Sequence, residues 1–392
     1  MNKEKLWSEQ QKDWRDPQDV ISQWKFSQQL SSDLLDADVS DDFVSILDQL
    51  GITIFISREY EHLLIALCVV NGKLRTSYFH LPHPSGIAIN RRKNEYYFAS
   101  TRNPNQVFSF KTADNFLSRK DIPAETAPYQ KTLIPISSQY YPGSLYLHDL
   151  AIIKNKLYGN AVGHNSIVEL SSSGSWKNRW WPKCVERSKQ PKFDRNYIQL
   201  NSIGAGTDLK SSFFSASSSR IGRISPGHLD FKVDKKGVLF SGQTREPIVT
   251  GLTRPHSARI YKKKIWVANS GYGQLGYVED NTFHSVHNFD GWTRGLNFIG
   301  KHGLIGTSRV LPRFAHYAPG LDIKKATCGL HFFNYTTGKI DGSITWPLGN
   351  QIFAVDWIRR DKCIGFPFTE EQRSEASETS LFYNFNANKK RG

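Results

Sequence analysis

The sequence predicts an all-β fold, a six-bladed β-propeller closed by strands from both ends of the chain, and three observations lead to it. From Gly51 onward the 392-residue chain consists of short β-rich runs separated by turn signals such as Asn71-Gly72 and Thr337-Gly338. Long segments with helical periodicity are absent after residue 50. A five-residue pattern recurs six times, which is typical of a radial repeat.

The recurring pattern predicts the innermost strand of each blade. Its copies begin at residues 85, 148, 201, 256, 294 and 353, between 38 and 63 residues apart. The second position holds only Gly, Asp, Ser or Ala, and the third and fifth positions are apolar. Innermost strands crowd around the axis, so they favour small residues on one face. Strands at 62–70 and 73–81 precede the first copy, and two strands remain in the last copy, the second of them over residues 362–368. We expect these four strands to form the sixth blade.

The composition and charge of the chain indicate its domain boundaries and the classes of partner it could bind. We expect a polar, acidic N-terminal segment over residues 1–50, partly helical or loosely ordered, the propeller over 51–369, and a polar tail over 370–392. Residues 1–50 carry eleven acidic and five basic side chains, so a chain of net charge +15 has a body of +21. A basic region after residue 50 is compatible with binding to nucleic acid, anionic lipid or an acidic small molecule.

Targeting and redox signals favour a cytoplasmic protein. No apolar run approaches the ~20 residues that cross a bilayer, so no membrane span is expected, and the start has no apolar signal-peptide core. The four cysteines are widely spread without C-x-x-C spacing, which argues against a disulfide framework or a structural zinc site. No Gly-rich phosphate loop, nucleophile elbow or H-E-x-x-H motif occurs, so no cofactor is identified.

A series of short motifs runs in order over roughly residues 55–360. They are Ser57-Arg58-Glu59, His148-Asp149, Trp180-Trp181-Pro182, Asp194-Arg195 with Leu200-Asn201, Gly251-Leu252 with Pro255-His256-Ser257, Asn269-Ser270-Gly271, Arg294-Gly295-Leu296 and Cys328-Gly329. In this order they resemble a bacterial family of conserved hypothetical proteins of six-bladed propeller type. An insertion separates Asp194-Arg195 from Leu200-Asn201, where the family has a compact run. The resemblance implies the fold and no settled reaction, so function has to be inferred from the site.

The first position of each copy is the candidate site. These positions, which converge at one mouth of a propeller channel, are Ser85, His148, Asn201, His256, Arg294 and Phe353. All of them except Phe353 are hydrogen-bonding or ionisable. A polar convergence at a concave mouth predicts an axial pocket for a small anionic ligand or a peptide. Asp149 points to the other side of its strand and would orient a neighbouring group. Asn269 ends a second strand and could line the same mouth.

Three hypotheses explain this ring. In the first, His148 and His256 carry acid–base catalysis, Arg294 anchors an acidic group, and Asn201 or Ser257 orients the substrate. In the second, the two histidines bind a divalent metal, although such a site usually needs three or four ligands and Arg294 would repel the cation. In the third, the polar residues only hold ordered water between the inner strands.

The resulting functional prediction has two forms. One is an enzyme, such as a lyase, hydrolase or isomerase of a bacterial biosynthetic pathway, with its centre at the ring. The alternative is a scaffold that docks a protein partner on the rim loops around Trp180 and on the insertion at 311–327. Aromatic and basic residues alternate over residues 176–195 and could bind a single nucleic-acid strand. Tryptophans that pack on the propeller are the commoner explanation, so nucleic acid is not the expected partner.

Overall fold

The computed structural model describes residues 2–12, 30–101, 105–113 and 131–369. Helix α1 (Lys3–Lys12), strand β1 (Asp38–Val39) and helix α2 (Asp41–Leu50) precede the blades. Short 3-10 helices span Ser32–Leu34, Val162–His164, Lys183–Val185, Ser270–Tyr272 and Pro312–Tyr317. Within these described ranges, no helix is long and apolar enough to cross a membrane. Residues 13–29 and the predicted tail at 370–392 lie outside the described residues.

Six antiparallel sheets form the blades, each with its innermost strand next to the axis. Three strands of blade 6 come first: β2 (Ile52–Arg58), β3 (Leu63–Val70) and β4 (Lys73–His80). Blade 1 contains β5 (Pro84–Asn90), β6 (Glu95–Ser100), β7 (Asn105–Ala113) and β8 (Thr132–Tyr141). Blade 2 contains β9 (Leu147–Ile153), β10 (Lys156–Ala161), β11 (Ser166–Leu170) and β12 (Trp176–Trp180), and a small ribbon of β13 (Glu186–Arg187) and β14 (Gln190–Pro191) follows it.

The second half of the chain continues the same order. Blade 3 contains β15 (Leu200–Gly204), β16 (Phe213–Ala216), β17 (Gly237–Ser241) and β18 (Pro247–Leu252). Blade 4 contains β19 (Pro255–Tyr261), β20 (Lys264–Asn269), β21 (Gln274–Glu279) and β22 (Thr282–Asn288). Blade 5 contains β23 (Arg294–Ile299), β24 (His302–Thr307), β25 (Gly329–Asn334) and β26 (Lys339–Thr345), with β1 on its outer edge. The last strands are β27 (Ala354–Arg359) and β28 (Phe368–Thr369).

The inner strands contact one another in the ring order β5, β9, β15, β19, β23, β27 and back to β5. This arrangement confirms the predicted all-β, six-bladed propeller, and each copy of the sequence pattern coincides with an inner strand. Hydrophobic clusters fill the spaces between neighbouring blades, as the apolar third and fifth positions require. The core is therefore divided into radial layers rather than concentrated in one centre.

Blade 6 differs in detail from the expected two strands from each end. Its order is β27, β2, β3, β4, β28, so the run over 52–58 supplies the second strand. Ala354 pairs with Ser57 and Arg359 with Ile52. The run over 362–368, expected to be that second strand, adds only the short outer β28. It could not be the second strand because β2 already occupies the hydrogen-bonding edge of β27.

Helix α2 packs on the propeller through its apolar face. The helix begins after Ser40, whose Oγ accepts from the backbone N–H of Phe43, and it ends at Gly51, which has φ +59°. Phe43 and Leu47 are fully buried, and the ring centroid of Phe43 lies 4.9 Å from that of Phe332 in blade 5. Part of the acidic N-terminal region is thus attached to blades 5 and 6.

Candidate functional site

The six residues that begin the repeated pattern lie at or next to the start of the six inner strands, and we call them the axial ring: Ser85, His148, Asn201, His256, Arg294 and Phe353. His148 of blade 2 faces His256 of blade 4, with ring centroids 6.4 Å apart. It also meets Phe353 at the start of blade 6 with a centroid distance of 5.3 Å. Because these blades are not neighbours, the contacts run across the axis.

Irregular strand pairing accompanies the ring positions. In blades 1 to 5 the register between the inner strand and the second strand shifts at or next to the ring residue. Such β-bulges bend a strand and change the direction of a side chain. Ser257 and Gly295, which follow two ring residues, have φ of +55° and +68°. The local backbone therefore departs from a regular strand where the ring side chains are presented.

The small residues in the second column of the pattern have a steric cause. A Cβ on Gly86 would lie 2.6 Å from the backbone nitrogen of Leu150 in blade 2. A Cβ on Gly295 would lie 2.8 Å from Cγ2 of Val355 in blade 6. Neighbouring inner strands approach too closely here for larger side chains, so the ring is held at a fixed, narrow spacing.

The central contact of the ring joins Arg294 to His256. Nη2 of Arg294 donates to Nε2 of His256 over 3.0 Å, and both side chains are buried. Since a guanidinium only donates, Nε2 of the imidazole must be unprotonated, which puts the ring proton of neutral His256 on Nδ1. Burial lowers the pKa of His256 well below its usual 6.5, and the charges of Arg294, His148 and Arg254 lower it further.

This lowered pKa predicts a pH dependence of stability. Unfolded His256 binds a proton near pH 6.5 that the folded protein does not bind, so the free energy of unfolding falls as pH decreases below 6.5. The His256 contribution has a slope of up to about 1.4 kcal/mol per pH unit. His256→Gln should therefore show a shallower loss of stability in urea titrations at about pH 7, 6 and 5. The exposed His284→Gln variant should retain the wild-type slope, and an unchanged slope in His256→Gln would contradict the assignment.

Arg294 is surrounded mainly by neutral groups. The side-chain amide of Gln351 links Arg294 to Glu59. Its nitrogen donates to Oε2 of Glu59 over 2.8 Å, and its oxygen accepts from Nη1 of Arg294 over 2.6 Å. The guanidinium carbon lies 4.8 Å from the ring centroid of Trp292 and 4.3 Å from that of Phe353. Burial lowers the pKa of Arg294 to about 10, and the charge of Glu59 opposes this change, so Arg294 is a cation at neutral pH. Its Nε has no hydrogen-bond partner in the described part of the chain.

Asn201 and Ser85 complete the polar half of the ring in different ways. Asn201 donates from Nδ2 to the carbonyl of Pro255 over 3.0 Å and to Oγ of Ser217 over 3.1 Å. Its Oδ1 is buried and finds no donor among the residues the structure describes. Ser85 donates to the carbonyl of Leu147 over 2.8 Å, so its hydroxyl joins blades 1 and 2. Asn201 retains an open acceptor, whereas the Ser85 hydroxyl is used by the fold.

Three further predicted site residues make contacts within the fold. Asp149 pairs with Nη1 of Arg259 over 3.0 Å. Oγ of Ser257 accepts from the backbone N–H of Gly295 over 2.9 Å. Asn269 accepts from the N–H of Thr253 over 2.6 Å and donates to Gln274. These side chains join blades or loops, and none of their described contacts reaches the ring.

The metal hypothesis finds little support in the ring geometry. Arg294 occupies the Nε2 lone pair of His256 through which that imidazole would bind a cation. No group of three or more His, Cys, Asp and Glu side chains in the described ranges is arranged to hold a metal ion. All four cysteines are free thiols.

Two loops pack together beside the ring, and we call them the roof loops, residues 218–236 and 309–327. A hydrophobic cluster joins them through Val233 and Tyr317 and includes Trp292, which precedes Arg294 by two residues. The hydroxyl of Tyr317 donates to the carbonyl of Gly227 over 3.0 Å. Trp292 contacts His256 with a centroid distance of 6.1 Å. The insertion predicted as a rim surface is thus packed against the loop that precedes β17.

The tryptophans of the basic stretch also pack on the propeller. Trp180 is 5% exposed, its Nε1 donates to the carbonyl of Gly242, and its ring centroid lies 4.0 Å from that of Phe214. Nε1 of Trp181 donates to Glu186, and Arg245 lies over the Trp181 ring. These contacts fit the packing explanation of residues 176–195.

Sequence reasoning missed three residues next to the ring: Glu59, Gln351 and Arg254. Each lies in a loop that leads into or out of a strand, where the six copies share no pattern. Glu59 belongs to the Ser57-Arg58-Glu59 motif, and Arg254 lies within the Gly251 to Ser257 motif. Motif membership was therefore the only signal in the sequence for these two positions, and Gln351 had none.

Comparisons with known proteins address the family and the fold. A family model described as "Domain of unknown function (DUF4915)" matches residues 41–364. No curated protein matches the chain significantly. A crystal structure of a nidogen/laminin complex is similar at 7% identity with a TM-score of 0.51, covering 79% of this chain and 98% of the other.

Two further similar structures are more distant in shape. Virginiamycin B lyase from Staphylococcus aureus has 14% identity, covers 69% of this chain and 90% of its own, and gives a TM-score of 0.38. Hydrazine synthase from Kuenenia stuttgartiensis has 11% identity, and the alignment covers 74% of this chain and 91% of that chain. It also gives a TM-score of 0.38. At these identities the similarity concerns the fold alone.

Proposed function

The chain belongs to the family described as a domain of unknown function, DUF4915, and we propose that its propeller binds a small anionic molecule at the axial ring. Arg294 is the observation that carries the proposal. It is a cation only 4% exposed, and its hydrogen-bond partners among the described residues, His256 and Gln351, are neutral. The charge of Glu59 also acts on Arg294, but the Glu59 carboxylate hydrogen-bonds to Gln351 and not to the guanidinium. A buried charge is stable only when an opposite charge or a full set of hydrogen bonds compensates it.

The remaining polar atoms of the ring define what the ligand should offer. The free Nε of Arg294 suits an acidic oxygen, since guanidinium and carboxylate or phosphate form strong charge-assisted hydrogen bonds. Oδ1 of Asn201 suits a hydroxyl or amide N–H. A small organic acid with a hydroxyl or amide group therefore matches both open atoms.

Two histidines of the ring were candidates for acid–base catalysis, and in our proposal only His148 retains that role. The pKa of His256 is lowered too far for a proton donor at neutral pH, and its Nε2 accepts from Arg294. In our proposal His256 orients Arg294, and its Nδ1–H is available as a hydrogen-bond donor. His148 is only half-buried and lies opposite His256, so it is the ring imidazole placed to exchange a proton with a bound molecule.

The scaffold alternative has less support than the ring. Its two expected docking surfaces, the loops around Trp180 and the insertion at 311–327, contribute many of their apolar side chains to packing within this chain.

A binding panel tests the proposal. Glycolate, lactate and phosphate are titrated against the protein at constant ionic strength, with neutral glycolamide as the matched control, by calorimetry and by shift in Tm. We expect at least one acid to bind saturably and glycolamide to bind far more weakly. If every acid behaves like sodium chloride of equal ionic strength, the axial ring is not an anion site.

Turnover is tested separately with His148→Gln. Wild type and variant are incubated with an extract of small metabolites, and the compounds consumed are identified by mass spectrometry. We expect an anionic compound to be consumed by wild type and to be bound without consumption by His148→Gln. Equal consumption by both proteins would remove His148 from the chemistry, and no consumption by either would leave a binding function alone.

A further inference from the structure

A second buried arginine, Arg254, lies beside the axial ring. Its side chain is 1% exposed, and its guanidinium carbon lies 3.6 Å from the ring centroid of Tyr317 in one roof loop. Nη1 donates to Oγ of Ser217 over 3.3 Å, and Nη2 donates to the carbonyl of Pro226 in the other roof loop. Its Nε has no partner among the described residues. Each described group to which Arg254 donates or on which it stacks is neutral.

The charge of Arg254 is therefore uncompensated within the described chain. No described carboxylate forms an ion pair with it. Burial lowers its pKa to about 10, and the positive charge of Arg294 acts in the same direction. The two arginines lie over neighbouring aromatic rings, because the centroid of Tyr317 against Arg254 is 6.2 Å from that of Trp292 against Arg294. Arg254 is nevertheless a cation at neutral pH, because its pKa stays well above 7.

Arg254 also holds the two roof loops together, but that structural role does not require a positive charge. The contacts of Arg254 with Ser217, Pro226 and Tyr317 require hydrogen-bond donors and a flat surface, which a neutral side chain also offers. Two like charges buried together cost free energy in the absence of an anion. An arrangement of this kind is stabilised when a ligand supplies negative charge to both groups.

We propose that Arg254 and Arg294 are the two halves of a double anion site, so that the ligand carries two acidic groups, as a dicarboxylate or a phosphorylated acid does. The proposal rests on the proposed function, in which the axial ring binds an anion through Arg294. Asn201 connects the two halves, because it donates to the same Ser217 hydroxyl that accepts from Arg254 and to the carbonyl that precedes His256.

Matched pairs of acids test this inference on the whole protein. Succinate is compared with butyrate, glutarate with valerate, and phosphoglycolate with glycolate, at constant ionic strength. For at least one pair we expect the diacid to bind wild type at least about 10-fold more tightly than its monoacid. Arg254→Met should reduce the ratio of diacid affinity to monoacid affinity to near 1. Its monoacid affinity should stay within about 3-fold of the wild-type value. Tyr317→Phe, which loses the hydroxyl bond to Gly227 but keeps the aromatic ring against Arg254, should keep the wild-type ratio.

The outcomes separate this inference from the proposed function. A wild-type protein that binds monoacids and diacids equally, or an Arg254→Met variant that keeps the preference, overturns the double site and leaves the single site at Arg294. Absence of binding by any acid overturns both. If Arg254→Met does not fold, the diacid preference of wild type and of Arg254→Lys still tests the double site. The lysine variant keeps the charge, so it should retain a preference for diacids.

Discussion

Arg294→Met should weaken the binding of an organic acid at the axial ring by at least about 30-fold, the lower end of what losing a buried, hydrogen-bonded charge costs. Methionine approximates the length of the arginine stem but offers no hydrogen-bond donor or charge. The acid would then be desolvated beside Trp292 and Phe353 without a partner. Calorimetric titration of the acid found in the panel measures this loss.

The control for Arg294→Met is an arginine with similar packing away from the axis. The guanidinium of Arg91 also lies 4.8 Å from an indole centroid, that of Trp357, but its side chain is 41% exposed and paired with Asp356. Arg91→Met should leave acid binding unchanged. Arg294→Lys, which keeps a charge without the planar fork, should bind with intermediate affinity. Wild-type affinity in a folded Arg294→Met protein would refute the anion site.

Asp149→Ala should lower the free energy of unfolding by about 3 kcal/mol, as expected when one partner of a largely buried ion pair is removed. Oδ2 of Asp149 accepts from Arg259 of blade 4 and from the backbone N–H of Ile203 in blade 3, each over 3.0 Å. Oδ1 accepts from the N–H of Leu150 over 3.0 Å. One carboxylate thus joins three consecutive inner strands, and its loss leaves the Arg259 cation with only backbone carbonyls as partners and two backbone amides without this acceptor. Urea unfolding monitored by tryptophan fluorescence gives the measurement.

An exposed ion pair between two of these blades, blades 2 and 3, provides the comparison for Asp149. Nζ of Lys154 lies 3.3 Å from Oδ2 of Asp208, with the two side chains 67% and 39% exposed. Lys154→Ala should cost less than about 1 kcal/mol because water screens the charges. Asp149→Asn keeps an acceptor oxygen and should fall between the two. Similar losses for Asp149→Ala and Lys154→Ala would mean that the buried pair contributes nothing beyond surface electrostatics.

The repeated pattern was sufficient to predict the propeller and the point along the chain at which each inner strand begins. Both follow from periodic constraints, because every inner strand must present small and apolar residues at the same positions to pack beside its neighbours. The residue that begins the pattern is free of that constraint, so polar side chains at His148, His256 and Arg294 stood out. A local repeat could therefore place residues that lie far apart along the chain.

The partners of these residues could not be predicted in the same way. Arg259 binds Asp149 from two blades away, and nothing in the pattern links those positions. Arg254 and Gln351 precede inner strands in loops whose conformations differ from blade to blade. The second strand of blade 6 was misassigned for a related reason, since the pattern does not show which of two apolar runs takes the edge of β27. Periodicity fixes positions around an axis, whereas side-chain pairing depends on the three-dimensional path of each loop.

The pairing of β2 with β27 has a consequence for how the chain folds. The backbone N–H of Ala354 donates to Oγ of Ser57, a contact between residues 297 positions apart in sequence. Contacts of such high sequence separation form slowly, because a large loop must close before any of them is gained. Until β27 arrives, the edge of β2 presents unpaired backbone groups that favour intermolecular association. We therefore expect slow refolding with yields that fall as protein concentration rises, even though the assembled ring leaves that edge covered.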